Sequence, residues 1–409
     1  DDRKRETSEV IKEWKPLLNQ IAGANISMDI ASSSSMSSSS SSGIEYILQS
    51  TQYDELKDAS DQITKELLEE SNLAELIGDK DKMVGIKPNM VSASDPSNGA
   101  TTHTEIIAGI LEYLKEHGFR RMMILEGSWV GDRTSDVFEV CGYQQICDDY
   151  DVEFHDTQKD KSFTKDCSGL ELRICNSVKD VDFLINVPVM KGHCQTKITC
   201  ALKNMKGLIP NTEKRHFHSM GLHKPIAHLN TGIHQDFIVV DNICGDLDFE
   251  DGGNPVVMNR IWTAMDPVLV DAYVCQQLHY KVSDVPYVKL AGELGVGCSD
   301  ISKADIHVLG ENVQQNIPER RKVVEVADAV EEVDSCSACY GYLIPALDML
   351  KQEGLLEKLH EKICIGQGYR GKSGELGVGH CTRNFKHHAE GCPPTENQIY
   401  EFLKEYISK

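Results

Sequence analysis

The sequence predicts an α/β protein with a largely parallel sheet flanked by helices, followed by a smaller C-terminal α/β unit that contains cysteines. Two observations predict it. From Lys82 onward, short apolar runs alternate with stretches of helical periodicity, the order that repeated strand–helix units produce. From about Ser335 the alternation restarts on a smaller scale, now with Cys336, Cys339, Cys381 and Cys392 spaced between its elements.

Taken in order, residues 1–81 are expected to be a helical appendage. Segments 8–18 and 54–77 carry apolar residues at helical spacing beneath charged faces, while 32–42 is serine at every position except Met36 and cannot bury a core. The main α/β domain is expected over 82–330. Its strand-like runs are 83–86, 122–125, 152–155, 183–189 and 237–240, with helical stretches at 104–116 and 135–150 between some of them. Thr102 and Glu105 have the spacing of a capping box at the start of the first of these helices. The cysteine-containing unit is expected over 331–409, with a helix at 342–359, strands at 362–366 and before His380, and a last helix at 395–406 that starts after Pro393 and Pro394.

Composition sets bounds on partners. The 409 residues are 40% hydrophobic and 26% charged, as in globular proteins, with a formal net charge of −22. That charge repels nucleic acid and anionic membrane surfaces, and no apolar run is long enough to cross a bilayer, so neither partner is expected. Fourteen cysteines in a chain without a hydrophobic signal segment point to a reducing compartment, hence a cytoplasmic location. The oligomeric state is left open, a homodimer included.

The C-x2-C pair Cys336/Cys339 with Cys381 and Cys392 supplies four thiolates, the donor set of a [4Fe–4S] cluster or of a tetrahedral zinc. A disulfide framework suits short secreted chains and is the weaker reading. Proline directly after Cys392 and the long separation of the ligand pairs favour iron and sulfur, with zinc as the alternative. Cys392 precedes a helix, where backbone amides favour a thiolate. Cys364, inside a predicted strand, is a further thiol that competes for a ligand position.

Residues 191–224 invert the charge of the chain. Lys191, Lys197, Lys203, Lys206, Lys214, Arg215 and Lys224 stand with four histidines against the single acid Glu213, an island that concentrates an anion. An anionic small molecule is therefore the expected ligand. Parallel sheets bind ligands at the carboxyl ends of their strands. Those ends carry Lys87 and Asn89, Glu126, Lys191 and His193, and Asp241. Lys87, Lys191, Lys197, Lys203, Lys206 and Lys214 are candidates for holding the anion. Glu126 and Asp241 are candidate acid/base or metal groups, His193 is the candidate catalytic histidine, and Lys191 beside it is also a catalytic candidate. No phosphate-cradling G-x-x-x-x-G-K-[ST] loop is present.

Lys87-Pro88-Asn89, Thr101-Thr102-His103, 186–193 and 201–208 (Ala-Leu-Lys-Asn-Met-Lys-Gly-Leu) together resemble the family called domain of unknown function 362. Lys214 with His218, and the Asp-Pro-Val-Leu-Val-Asp run at 266–271, extend the likeness over roughly 82 to 290. The resemblance adds Asn204 and His218 to the ligand-binding candidates. It implies an α/β domain often found beside iron–sulfur modules, in proteins commonly presumed to be redox active. This chain departs from the ferredoxin-like cysteine runs of many members. A fold-level likeness to nickel-pincer lactate racemases stands as an analogy only. The leading expectation is an iron–sulfur oxidoreductase or electron-transfer protein, with His193 moving a proton and a second protein exchanging electrons. The rivals are an isomerase or transferase with structural metal in the tail, and a cluster or metal carrier without catalysis.

Overall fold

The computed structural model describes residues 44–49, 57, 59–309, 317 and 322–408; the expected helix at 8–18 and the serine tract at 32–42 lie outside them. The strands of the main body are β1 (Ile44–Gln49), β2 (Val84–Pro88), β3 (Met122–Glu126), β4 (Glu153–Asp156), β5 (Ser162–Asp166), β6 (Glu171–Cys175), β7 (Phe183–Val187), β8 (Lys191–His193), β9 (Lys197–Thr199), β10 (Phe237–Asp246), β11 (Pro255–Ala264) and β12 (His307–Leu309). The central sheet runs β12-β1-β11-β10-β7-β2-β3-β4, while β5/β6 and β8/β9 are separate two-stranded ribbons. Neighbours in the central sheet are parallel except β1/β11 and β10/β11.

Val84–Pro88 and Phe183–Val187 are buried at every position, which is why they read as unbroken apolar runs rather than alternating ones. Ile86, Ile124, Ile185 and Val239 face one core with the helices Ser60–Glu70 and Thr104–Glu116. Leu125, Leu184, Ile238 and Val240 point to the opposite face, against the helices His223–Gly232 and Pro267–Gln277. Alternate residues of each strand thus feed opposite layers, so a one-residue slip would exchange the two cores.

Several expectations change. Residues before 82 are not purely helical: Ile44–Gln49 forms a strand between β11 and β12, and Leu67, Leu68, Leu73 and Ile77 are buried in the main core. The helix read at 54–77 is broken at Asn72, which takes a left-handed φ of 52°. The helix read at 135–150 is likewise split by Gly142, at φ 79°. Thr102 is not a cap; its hydroxyl donates to Val187 O and accepts from Asn89 N–H, and His103 is the N-cap residue of Thr104–Glu116. Strand β10 continues well past Val240 because β11 returns antiparallel beside it, with a register shift between Asn242 and Cys244.

The C-terminal unit holds a second sheet, β13 (Val330–Glu332), β14 (Ile363–Ile365), β15 (Leu376–Val378) and β16 (His387–Ala389), parallel throughout and in sequential order. The helices Ser337–Gln352 and Glu396–Ile407 pack on it through Leu343, Leu347, Ile399 and Leu403. Thr395 and Gln398 form a reciprocal capping box at the start of the last helix. Val323 and Val326 join this core, so the unit begins ahead of the expected boundary at 331. It meets the main body where Gln195 Nε2 donates to Ser335 O (2.7 Å) and Val323 N–H donates to Asp248 Oδ1 (3.0 Å). Among the described residues no helix is long and apolar enough to cross a membrane.

Asp241, expected at a strand end, is therefore mid-strand and fully buried, where its carboxylate accepts from His103 N–H and His103 Nδ1–H (both 2.8 Å) and from Ile243 N–H. Burial alone would lower the His103 pKa, but the Asp241 carboxylate outweighs it and raises the value to about 10. Asp241→Ala should cost about 3–5 kcal/mol in chemical denaturation at neutral pH, because it strands a buried partner. The raised pKa of His103 stabilises the fold fully below its unfolded value of about 6.5. That contribution is lost as pH rises through 10, so the gap between wild type and variant should narrow from pH 6.5 to 10.

Candidate functional site

Strands β7, β2 and β3 are neighbours, and their carboxyl ends open on a cavity of about 630 Å³. Lys87 and Glu126 end β2 and β3 and form the buried ion pair behind it, Nζ to Oε2 at 2.6 Å. Lys87 also donates to Pro88 O and Asn204 Oδ1, and Glu126 also accepts from Gly127 N–H and Met90 N–H. Gly207 closes over this pair. A Cβ there would sit 1.8 Å from Glu126 Oε1 and 2.6 Å from Lys87 Nζ, so only glycine fits. Asn204 lies on the short helix Ala201–Asn204 and bonds Asn186 Oδ1 (2.7 Å), fixing the segment that carries Lys203 and Lys206. Asp271 holds the start of that helix by accepting from Ala201 N–H and Leu202 N–H, and burial pushes its carboxyl up to about 7.

Each ammonium has three donors, and counting their partners separates the lysines. Lys191 spends its donors on Asn89 Oδ1 (3.4 Å), Ala100 O (2.6 Å) and Glu250 O (2.8 Å). Lys214 uses two, on Gly127 O and Ser128 O, and Lys203 uses one, on Thr199 Oγ1. Lys206 Nζ has no hydrogen-bond or ion-pair partner among the described residues. The buried Ser128 hydroxyl is also unpartnered and lines the same space. Lys203, Lys206, Lys214 and Ser128 thus keep donors for a ligand, whereas the expected anion contacts at Lys87 and Lys191 are already saturated.

Burial lowers the lysines, with mutual repulsion behind it. Lys206 falls to about 8 through burial and then Lys214, and Lys203 lies well below the usual lysine value. Lys191 and Lys214 fall to about 8 through burial, partly offset by nearby carboxylates. His218 drops to about 3 through burial, then Lys206 and Lys203, so it is neutral at pH 7.

His193 ends β8 at the cavity wall. Its Nδ1 accepts from Gln195 N–H (3.0 Å) and Thr196 N–H (3.2 Å), which leaves the ring proton on Nε2, 3.1 Å from Glu250 Oε1. Gly192 permits this turn, since a Cβ there would lie 2.1 Å from Leu247 O. His193, Cys194 and Glu250 place one ligand atom each within 4.8 Å of one another, so this wall also has the donors for a metal ion once Nε2 gives up its proton.

The four tail cysteines lie at the carboxyl edge of the small sheet, near enough to influence one another electrostatically. Cys336 is the N-cap of Ser337–Gln352, Cys339 lies in its first turn, and Cys381 and Cys392 follow β15 and β16. Burial, then Cys336, Cys392 and Cys381, push the Cys339 thiol up to about 12, and burial followed by Cys381 and Cys392 raises Cys336. A donor set whose thiolates oppose one another in this way fits a bound cationic centre, which offsets that repulsion. Cys364 lies apart from the four, beside Tyr369 and Glu331. Cys336 also lines the lysine cavity, with Gly341 and Tyr342.

Of the residues singled out from sequence, Asn89, Glu126, Lys191, His193, Lys203, Asn204, Lys206, Lys214 and His218 line this cavity. Lys87 lies behind Glu126. Lys197 does not line the cavity: it sits at φ 68° in the β8/β9 ribbon with its ammonium over the Tyr280 ring. Asp241 is the anchor of His103, not a group of the cavity. Trp129, Glu250, Asp251 and Tyr342 were not foreseen, whereas Ser128 follows Glu126 at the expected strand end and lines the same space. Glu250 and Asp251 arrive on the loop between β10 and β11, and the acidic pair followed by Gly252-Gly253 was the one available sign of that turn.

Fold and site define an α/β protein whose lysine-lined cavity opens against a four-cysteine unit. Residues 84–276 match the family described as Domain of unknown function (DUF362). The chain is 26% identical over 133 residues to the Thylakoid-associated protein sll1697 of Synechocystis sp., covering 32% of this chain and 41% of that protein. It thus spans about two fifths of that relative's length. The lactate racemase apoprotein from Thermoanaerobacterium thermosaccharolyticum superposes with a TM-score of 0.37 at 14% identity, over 61% of this chain and 60% of that one.

Sulfate keeps its charge across neutral and mildly alkaline pH, so it isolates the lysines. Its affinity, measured by calorimetry, should fall about tenfold or more from pH 7 to 9.5 as Lys206 and Lys214 lose protons above about 8. Lys206→Met should weaken sulfate about tenfold or more with little change in stability, a hydrogen bond to a charged group being worth about 1.5–3 kcal/mol. Lys87→Met should instead unfold at lower denaturant, by about 3–5 kcal/mol, because it strands buried Glu126.

Proposed function

We propose that this chain is an iron–sulfur protein that passes electrons between a [4Fe–4S] centre at Cys336, Cys339, Cys381 and Cys392 and an anionic small molecule held in the lysine-lined cavity. The observation that carries this reading is that Cys336 borders the same cavity as Lys203, Lys206 and Lys214. A cluster bound there supplies one-electron chemistry. The remaining roles belong to the chain. Lys203, Lys206, Lys214 and the Ser128 hydroxyl bind and orient the anion. His193 holds a proton on Nε2, where the two amides on Nδ1 keep it, and delivers or retrieves it with Glu250 as its partner. The long separation of the ligand pairs along the chain and the proline directly after Cys392 support iron over zinc. A separate electron-transfer protein and a cytoplasmic setting complete the proposal.

One observation favours a second reading. The His193, Cys194 and Glu250 group would support metal-assisted, non-redox chemistry of an isomerase type at the cavity wall, with a structural metal in the tail.

Anaerobic purification with iron, sulfide and zinc analysis and paramagnetic resonance after reduction distinguishes them. The redox reading expects about four irons and four sulfides per chain. These should be lost in Cys336→Ser and Cys339→Ser and kept in Cys298→Ser, a half-exposed cysteine outside both groups. Zinc alone, with no cluster on reconstitution, would sink the redox reading.

A further inference from the structure

The lysines account for one end of a ligand, and the mouth of the cavity for the other. Among the described residues the exposed large hydrophobic side chains are Leu76, Trp129, Val140, Val257, Ile306, Val333 and Tyr342. Two of these are aromatic, Trp129 at 50% and Tyr342 at 43% exposure, and both line this cavity. Single exposed apolar residues need no explanation. Two aromatic ones on the rim of one charged cavity do.

The exposure of Trp129 is not slack in its loop. Its N–H donates to Val91 O (2.9 Å), and one Gln158 side-chain amide bonds Ser128 O, Trp129 O and Asp132 O at 3.2, 3.3 and 3.0 Å. The indole lies over Gly131, where a Cβ would fall 1.9 Å from the ring. The backbone is therefore pinned while the ring is left half uncovered. Tyr342 stands three residues beyond Cys339 on the helix Ser337–Gln352, and residues at that spacing share a helix face. A flat group resting on Tyr342 would lie against the helix that carries Cys336 and Cys339.

We infer that the ligand is an aromatic or otherwise conjugated planar anion, its ring received by Trp129 and Tyr342 and its charged group by Lys203, Lys206 and Lys214. This rests on the anion-binding reading of the cavity proposed above and names the class of molecule it takes. Aromatic rims recognise flat faces by stacking, and a conjugated ring is the kind of group that accepts or releases single electrons.

Binding of phenyl sulfate and methyl sulfate, monoanions with the same charged head, tests it by calorimetry on the anaerobically purified full chain. Wild type should prefer phenyl sulfate by about tenfold or more, the gain expected from ring burial and stacking. Trp129→Ala and Tyr342→Ala should each shrink that preference several-fold while methyl sulfate binding stays within about twofold, which also reports an intact fold. Equal affinity for both sulfates in wild type, or a preference that survives in both variants, would overturn the planar-ligand inference and leave the anion cradle standing. If neither sulfate binds, the anion reading itself falls, and this inference with it.

Discussion

The ion pair between Lys87 and Glu126 is the constraint on which the site is built. Both side chains are buried at the ends of adjacent parallel strands, and burying either alone would cost several kcal/mol. Their remaining hydrogen-bonding capacity is met by Pro88 O, Asn204, Gly127 N–H and Met90 N–H. Those partners lie at the end of β2, on the loops after β2 and β3 and on the helix Ala201–Asn204. Satisfying one buried pair therefore fixes the elements that surround the cavity. Gly207 follows from the same constraint, since any side chain would displace the pair.

With that frame set, the other lysines divide by what the backbone leaves them. Carbonyls of Ala100 and Glu250 together with Asn89 Oδ1 saturate Lys191, and Gly127 and Ser128 occupy two donors of Lys214. Lys206 receives no partner among the described residues. Burying several ammoniums together lowers their pKa values, so the cavity is poised to gain from a negative charge that stabilises their protonated forms. The loop between β10 and β11 contributes to both halves of the molecule, since Glu250 faces His193 while Phe249 packs into the core of the cysteine unit. The same few residues thus line the cavity and join it to the tail.

The alternation of buried runs and amphipathic stretches was legible because periodicity is a local property. The parallel sheet, the small sheet of the tail and the convergence of Lys87, Glu126 and Lys191 near one edge all followed from it. The hairpin of β10 and β11 was not legible. Strand β10 is buried at all its positions through Asp246, including Asp241, Asn242 and Asp246, so polar residues that read as the end of a strand are interior ones, with Asp241 and Asp246 held by backbone amides. That one misreading placed Asp241 at the site and hid Glu250.

By itself the sequence determined the fold class, the basic segment and the set of four cysteines, because composition, periodicity and spacing along the chain encode them. Tertiary structure alone decided which lysines keep free donors, which nitrogen of His193 carries the proton, and that Cys336 and Tyr342 border the same cavity as Trp129. Those facts depend on carbonyls, amides and rings brought together from distant segments. Hydrogen-bond saturation and burial are properties of that gathering, not of any residue's neighbours along the chain.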